Sequence, residues 1–375
     1  MKGLPKKGHK QVITSPNIFT EPLKVWVLAP HVESDDPNIR YYYDFTQSIA
    51  EYRKAFEELE MDWNWQPVTI DNYKEVIDSI HTDSIVSDKQ TVVFNICDGD
   101  ELNGAPGISV IKYLRKKGLP FTGSDEYFYD ITTSKILMKE IFDKAGVPTP
   151  SWKAIYERKQ YLNGIFKKLG NPIIVKPSIS GGSMGVGIKN VVENKDELHT
   201  QIERMFDGYR GWNLSNGGVL AEGFINGPEF TVMIVGDSSK PERCIVYPPV
   251  ERVFHPSLPE KEQFLSFDRL WEIYEDETPM PNDGNFYEYT QPASSLRKEI
   301  MKISLDAYCA VGGKGYTRID LRQDKITGKI YVLEVNAQCG LSEDEDYTSI
   351  GAILRFANKS FAQLVMEIIN GALDK

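Results

Sequence analysis

Cysteine, long apolar runs and positive charge are scarce in this sequence, and each scarcity argues against a class of protein. The 375 residues include four cysteines, none of which forms a CxxC pair or stands at the spacing of metal ligands. No run of about 18 apolar residues occurs, which argues against a transmembrane helix. A formal net charge of −11 argues against nucleic acid as a partner, because phosphate backbones bind basic surfaces. We therefore expect a cytoplasmic protein with reduced thiols and no membrane partner.

The opening residues, 1–21, are basic but contain no apolar core of the kind found in secretory signals. We expect them to form a flexible N-terminal tail. The rest of the chain is too long for one hydrophobic core and predicts two or three domains. It contains no internal repeat and no low-complexity tract.

Strand and helix patterns alternate along the chain and divide it further. Residues 22–128 read β-α-β-α-β, which predicts a parallel sheet with helices on its faces. A central unit covers 129–221, and its first helix is N-capped and ends at Gly146. Residues 222–375 are strand-rich and include an irregular segment, 254–293, whose length is typical of a functional flap. The predicted fold class is α/β, with α+β character in the C-terminal part, and one long helix is expected to close the chain.

The strongest local signal is a pair of strands near the C-terminus, "GYTRIDLRQD" and "GKIYVLEVNAQ". Arg318 and Asp320 alternate along the first strand, so both side chains emerge on one face, and Glu334 and Asn336 do the same on the second. If the strands are neighbours, two carboxylates and an amide oxygen converge, and such hard ligands suit Mg²⁺. Arg318 would steady an anionic group beside them. A solvated sheet face with a salt bridge is the alternative, but the apolar frame around Glu334 favours the metal site.

A second signal is "VKPSISGGSMGVG", where a buried strand ends at Lys176 and a loop of glycine and serine follows. A lysine ammonium can meet a phosphate as a point charge, and the backbone N–H groups of such a loop can cradle phosphates. The lysine precedes the glycines, unlike the order in the GxxxxGK[ST] phosphate loop. Taken alone, the stretch is explained equally well by a plain hairpin turn.

A third signal is "VLAEGFINGPEF", in which a strand delivers Glu222 and an extended segment follows it. Such a segment can present backbone groups to an adenine edge, with Glu229 placed to accept hydrogen bonds from ribose hydroxyls. An ordinary crossover between domains is the alternative. Lys135, at the start of its helix, becomes a candidate phosphate ligand only in the company of these residues.

Taken together and in this order, these stretches resemble the ATP-grasp superfamily, and within it the D-alanine–D-alanine ligase group. The resemblance extends from about Leu23 to the C-terminus and is closest in five stretches: "FTGSDEYFYDITTSKILMKEIFDKAGVPTP", "IIVKPSISGGSMGVGI", "VLAEGFINGPEFTV", "GYTRIDLR" and "YVLEVNAQCGLS". It implies an ATP-grasp fold behind an N-terminal domain. It also implies ATP and Mg²⁺, with Mn²⁺ as a substitute, and a reaction that joins a carboxylate to an amine through an acyl phosphate.

The resemblance assigns roles to single residues of this sequence. The residues that look like the nucleotide-binding set are Lys135, Lys176, Ser183, Glu222, Phe224, Ile225 and Glu229. The residues that look like the magnesium ligands are Asp320, Glu334 and Asn336. The residues that look catalytic are Arg318, Ser183 and Lys176, and those expected to bind substrate are Glu33, Trp271, Arg318, Gly340 and Ser349.

Three departures from the D-alanine–D-alanine ligase pattern lie around the first substrate. That group carries paired glycines and an amine-binding glutamate after the first strand, whereas here Glu33 or Asp35 is the available substitute. Gly182 stands where the loop serine is expected. Leu270 and Trp271 stand where the flap brings a lysine and a tyrosine. The nucleotide machinery is thus predicted to be intact and the first-substrate pocket to be rebuilt.

The acceptor end differs as well, because an acidic run, 343–346, follows the last motif. Such a run predicts a cationic amine or basic amino acid as acceptor, although a solvated acidic loop explains it equally well. We expect a carboxylate–amine ligase acting on small amino-acid-like substrates other than two D-alanines. The alternatives are a true D-alanine–D-alanine ligase with a diverged N-terminus, an ATP-grasp kinase, and a nucleotide-binding scaffold without turnover. A homodimer is compatible with the resemblance.

Overall fold

In a computed structural model of the chain, the structure describes residues 22–35, 43–209, 211–275, 277–281 and 284–373. The predicted tail, 1–21, lies outside these residues. None of the helices in the described ranges is long and apolar enough to cross a membrane.

The N-terminal unit is a three-stranded sheet of order β2-β1-β3, and its strands are parallel, as predicted. Its elements are β1 (Leu23–Pro30), α1 (Thr46–Glu58), β2 (Asp62–Val68), α2 (Tyr73–Val86), β3 (Gln90–Asn95) and α3 (Ile108–Lys117). The central strand β1 is apolar because both of its faces are covered by core residues. Strand β2 was not predicted, since its sequence, DWNWQPV, has the mixed polarity of a half-buried edge strand.

The central unit carries a four-stranded antiparallel sheet of order β4-β7-β5-β6. Its elements are α4 (Glu126–Thr133), α5 (Lys135–Ala145), β4 (Trp152–Ile155), α6 (Ile165–Leu169), β5 (Ile173–Pro177), β6 (Val191–Val192), α7 (Lys195–Asp207) and β7 (Val219–Gly223). Helix α5 begins where the Ser134 hydroxyl accepts a hydrogen bond from the Leu137 N–H, and it ends at the left-handed Gly146, as predicted. The domain limits remain a prediction, and the one at residue 128 falls inside α4.

The C-terminal unit is built on an antiparallel sheet of order β11-β10-β8-β12-β13, with β9 paired to β8. Its elements are β8 (Glu229–Asp237), β9 (Ile245–Val246), β10 (Val250–Phe254), α8 (Phe267–Leu270), β11 (Tyr287–Thr290), α9 (Ser294–Ala310), β12 (Lys314–Gln323), β13 (Ile330–Ala337), α10 (Ser349–Ala357) and α11 (Phe361–Leu373). The single closing helix predicted from the sequence is wrong. Asn358 adopts a left-handed conformation, with φ of 52°, and ends α10 before α11 begins.

One hydrophobic core joins the first and last units. Val25 of β1 and Phe94 of β3 share this core with Met233 of β8, Tyr316 of β12 and Leu364 of α11. The opposite face of the C-terminal sheet packs against α4, α5 and α9. The loops of the N-terminal sheet are therefore held beside strands β12 and β13, where the predicted metal ligands lie.

Candidate active site

A cleft of about 1050 Å³ runs between the three units. Every predicted site residue except Glu33 lines this cleft. The lining residues predicted from the sequence are Lys135, Lys176, Ser183, Glu222, Phe224, Ile225, Glu229, Trp271, Arg318, Asp320, Glu334, Asn336, Gly340 and Ser349. Glu33 is exposed and does not line this cleft. The fold thus brings together residues that lie more than 200 positions apart in the sequence.

The predicted metal ligands share one face of the β12–β13 pair. Asp320 is the register partner of Glu334, and Arg318 is the partner of Asn336. The Asn336 amide donates to Asp320 Oδ2 at 3.1 Å, and Arg318 Nη2 donates to the same oxygen at 2.9 Å. The described residues include no cluster of three His, Cys, Asp or Glu side chains fit for a metal. A metal here would therefore rest on two carboxylates and one amide oxygen.

Burial and charge set the electrostatics of this face. Burial raises the pKa of the Asp320 carboxyl, Arg318 opposes the effect, and the neighbouring Glu334 adds to it. Lys135 lies near the other carboxylate, with its Nζ 3.5 Å from Glu334 Oε2. Two carboxylates crowded in this way repel each other, and a divalent cation would relieve the repulsion.

Lys135 also reaches the glycine loop, defined here as residues 178–187. Its Nζ donates to the Ser180 carbonyl at 3.0 Å, and its backbone N–H donates to the Ser178 carbonyl at 2.9 Å. Because Lys135 is the first residue of α5, these bonds join the helix start to the loop. The lysine therefore stands between the glycine loop and Glu334 of β13.

Glu222 is buried on β7 between two lysines. Its Oε1 lies 2.6 Å from Lys176 Nζ, and its Oε2 lies 2.7 Å from Lys139 Nζ. Burial alone would raise the pKa of Glu222, but the charges of Lys139 and Lys176 outweigh it and lower the pKa to about 2. Lys139 was missed from the sequence. Its signal was a position four residues after Lys135, on the same side of α5.

Glu229, the predicted ribose ligand, is held by two arginines that sequence reasoning also missed. Arg252 donates to Glu229 Oε1, and Arg322 Nε lies 3.5 Å from Glu229 Oε2. Arg252 also donates to the Tyr289 hydroxyl at 3.0 Å, and the Arg322 guanidinium stacks over the Phe224 ring at 5.2 Å. All of these side chains except that of Phe224 are nearly buried, so a ligand here would meet a preformed charged network.

The irregular segment 254–293 contacts the glycine loop, as expected of a flap. The indole N–H of Trp271 donates to the Gly182 carbonyl at 2.9 Å, and the Phe267 N–H donates to the Val186 carbonyl at 2.8 Å. Just beyond the loop, the Ile188 N–H donates to Glu277 Oε1 at 3.0 Å. A main-chain carbonyl thus accepts the flap contact, which explains why position 182 needs no side chain for it.

Carboxylates also line the cleft at the end nearest the N-terminal unit. Asp44 lies just before α1, and hydrogen bonds from the hydroxyl and backbone N–H of Thr46 lower its pKa. Asp98 is exposed on the cleft, and loss of water contact with the carboxylate raises its pKa to about 6. Neither residue was singled out from the sequence, because both stand in loops whose approach to the cleft depends on domain packing.

The acidic run 343–346 is divided between the cleft and the surface. Glu343 pairs with Lys54 at 2.7 Å, and Asp346 lies 3.7 Å from Arg355. Asp344 is the member of the run that lines the cleft. The prediction that the run as a whole faces an acceptor is therefore reduced to this one carboxylate.

Two antiparallel sheets that enclose a charged cleft behind a parallel N-terminal sheet define an ATP-grasp protein of the D-alanine–D-alanine ligase type. The chain belongs to the family described as D-ala D-ala ligase C-terminus, whose model matches residues 141–370. The resemblance and the fold class predicted from the sequence are thereby confirmed.

Named relatives cover most of the chain. The D-alanine–D-alanine ligase of Marinomonas sp. (strain MWYL1) is 27% identical over 265 residues, which are 70% of this chain and 72% of that protein. D-alanine–D-alanine ligase B of Xanthomonas campestris pv. campestris is 26% identical over 293 residues, covering 77% and 80%.

Solved structures share the fold at lower identity. D-alanine–D-alanine ligase from Bacillus anthracis, complexed with ATP, has a TM-score of 0.63 and 19% identity and covers 94% of this chain and 98% of its own. The VanG D-Ala:D-Ser ligase from Enterococcus faecalis has a TM-score of 0.65 and 16% identity, with coverage of 94% and 100%.

Proposed function

We propose that the protein is an ATP-dependent ligase that joins the carboxylate of one amino acid to the amine of another. The observation that carries this proposal is the convergence of Lys135, Lys176 and Arg318 with the paired carboxylates Asp320 and Glu334 in one cleft. Cations suit the phosphates of a nucleotide, and paired oxygen ligands suit the metal that accompanies it. The family supplies the reaction type.

D-alanine is the leading candidate for both substrates. The relatives named D-alanine–D-alanine ligase match along 70% and 77% of the chain. These matches favour the alternative from the sequence analysis, a true D-alanine–D-alanine ligase, over the expectation of other substrates.

The nucleotide half of the cleft would bind ATP through three groups of residues. Lys135 and Lys176 contact the phosphates, and the N–H groups of the glycine loop, including that of Ser183, cradle them. The backbone after Glu222 meets the adenine edge. Glu229 accepts hydrogen bonds from the ribose hydroxyls while Arg252 keeps it in place.

The metal face fits Mg²⁺ or Mn²⁺, because Asp320, Glu334 and Asn336 offer hard oxygen ligands on one surface. When bound, the metal would neutralise phosphate charge during transfer. The chain's own contribution is to hold the two carboxylates together and to keep Lys135 beside Glu334. Arg318 stays fixed through its hydrogen bonds to Asp320.

In the first step, a carboxylate oxygen of the first amino acid attacks the γ-phosphorus, and the bond from that phosphorus to ADP breaks. In the second step, the amine nitrogen of the second amino acid attacks the acyl carbon, and phosphate leaves as the amide forms and a proton is lost. Arg318 stabilises the oxyanion of this second step. The contact between Trp271 and Gly182 keeps the loop closed and water away from the acyl phosphate. Gly340 and Ser349 line the acceptor end.

A second candidate function is ligation of an acceptor with an extra positive charge. The specific observation in its favour is that Asp44, Asp98 and Asp344 line the same cleft as the reacting groups. Acidic side chains would attract such an acceptor, whereas they offer nothing to an uncharged methyl side chain.

Phosphate release tests the proposal directly. Purified full-length protein is assayed with ATP and Mg²⁺, with D-alanine alone and in pairs with other amino acids and diamines, and products are read by mass. We expect D-alanyl-D-alanine and stoichiometric phosphate. Formation of ADP with an acid but no amine, with the phosphorylated acid as product and no free phosphate, would instead support the kinase. No product from any pair would refute ligation.

A homodimer remains a prediction, which measurement of the molecular mass in solution would check.

A further inference from the structure

Lys139 is buried without touching the cleft. Its side chain on α5 is 1% exposed, and it does not line the cleft, although Lys135 on the preceding turn does. A lysine at such a position needs compensation, because removing an ammonium group from water costs several kcal/mol.

The partners of Lys139 lie on strand β7 and in the loop that follows α5. Its Nζ forms an ion pair with Glu222 Oε2 on β7 at 2.7 Å and donates to the Thr149 hydroxyl at 2.6 Å. The Thr149 hydroxyl in turn donates to the Val332 carbonyl on β13 at 3.0 Å. Lys139 therefore connects the strand that carries Glu222 with the strand that carries the metal ligand Glu334.

The ion pair between Lys139 and Glu222 affects the charge that Lys176 presents to the cleft. Lys176 lines the cleft and shares the Glu222 carboxylate with Lys139, so the three groups together carry one positive charge. Without Lys139, Glu222 would neutralise Lys176 completely. Burial lowers the pKa of Lys139 and Glu222 opposes the effect, as expected for an ion pair inside the protein.

We propose that Lys139 is a positioning residue for the nucleotide: it engages one oxygen of Glu222, so that Lys176 keeps its positive charge for a nucleoside triphosphate. The inference deepens the proposed function and rests on it, since it assumes that the cleft binds ATP. Lys139 itself touches neither the nucleotide nor the reacting atoms.

Calorimetric titration with ATP tests this without any amino-acid substrate. Lys139→Met is expected to weaken ATP binding about tenfold, because one charge unit is lost beside the phosphates. Lys139→Arg keeps the positive charge beside Glu222 and is expected to bind ATP within about threefold of wild type. Lys144→Met, on the exposed end of the same helix, is the matched control and should bind like wild type.

The outcomes separate the inference from the proposed function. ATP affinity unchanged in Lys139→Met, or a loss in Lys139→Arg as large as that in Lys139→Met, would overturn the inference alone. A wild-type protein that does not bind ATP would refute the proposed function and the inference with it. Should Lys139→Met fail to fold, Lys139→Gln carries the test: a loss of affinity of about tenfold supports the inference, and affinity within about threefold of wild type overturns it.

Discussion

The two halves of the cleft treat their carboxylates in opposite ways. In the nucleotide half, Glu222 lies between two lysines and Glu229 between two arginines. The other half, called the substrate half here, is the end of the cleft lined by Asp44, Asp98 and Asp344. These three carboxylates form no ion pair within the described parts of the chain. A compensated carboxylate holds other groups in position, whereas an uncompensated one is available to a positively charged ligand. We therefore expect the paired carboxylates to position neighbouring side chains and the unpaired ones to select the substrate.

The largest effect is expected at the metal face. Glu334→Gln keeps the shape of the side chain but removes one of two carboxylates, so ligation should fall by at least about a thousandfold. Phosphate release with ATP, Mg²⁺ and D-alanine measures it. An unchanged melting temperature serves as the control for folding. Normal turnover in this variant would contradict the metal assignment.

A smaller loss is expected at the arginine beside that face. Arg318→Lys keeps the charge but loses the two hydrogen bonds to Asp320, so kcat should fall by about a hundredfold or more. The KM for ATP should stay close to the wild-type value, because the proposed role of Arg318 lies in the second step. A rise in this KM with little change in kcat would move Arg318 into nucleotide binding.

The hydrogen bond between the flap and the glycine loop should contribute less to activity than Glu334 or Arg318. Trp271→Phe keeps the ring but loses the N–H that meets the Gly182 carbonyl, a bond worth about 1 kcal/mol, which corresponds to roughly fivefold in rate. Water should then enter more easily, and more phosphate should be released per dipeptide formed. Trp152→Phe is the matched control, since its indole donates to Asp143 at 3.0 Å, away from the cleft. Equal effects in both variants would exclude the flap contact as the cause.

The smallest effect is expected in the substrate half. Asp98 has a pKa of about 6, so above this pH its negative charge attracts an ammonium group, and below it the attraction is lost. The KM for amino-acid substrates should therefore rise about two- to threefold as the pH falls from 7 to 5. In Asp98→Asn the KM should already be high and should lack this step. Parallel pH profiles of the two proteins would show that Asp98 does not sense the substrate.

Whether a site residue could be predicted from the sequence depends on whether its own strand or a distant partner gives it its role. Lys176, Glu222 and the pair Asp320 and Glu334 stand in short stretches whose own strands direct their side chains, so local patterns and motif order were enough to place them in one cleft. The missed residues depend on distant partners. Lys139 acquires its role from Glu222, more than 80 positions away, and Arg252 acquires its role from the neighbouring strand that carries Glu229.

The substrate half could not be predicted for a related reason. The sequence favours Glu33 as the substitute because it follows the first strand, but the structure leaves it exposed and brings Asp44 to the cleft instead. Which loop residue reaches the cleft depends on how the N-terminal sheet packs against β8, β12 and α11, and no local pattern encodes that packing.

Labelling with ¹⁸O tests directly whether the carboxylate is activated through an acyl phosphate. D-alanine labelled with ¹⁸O in its carboxylate is incubated with the protein, ATP and Mg²⁺, and the released phosphate is analysed by mass. Each phosphate is expected to carry one ¹⁸O atom, because the carboxylate oxygen that attacks phosphorus leaves with it. Phosphate free of ¹⁸O, released at the same rate whether or not D-alanine is present, would contradict it.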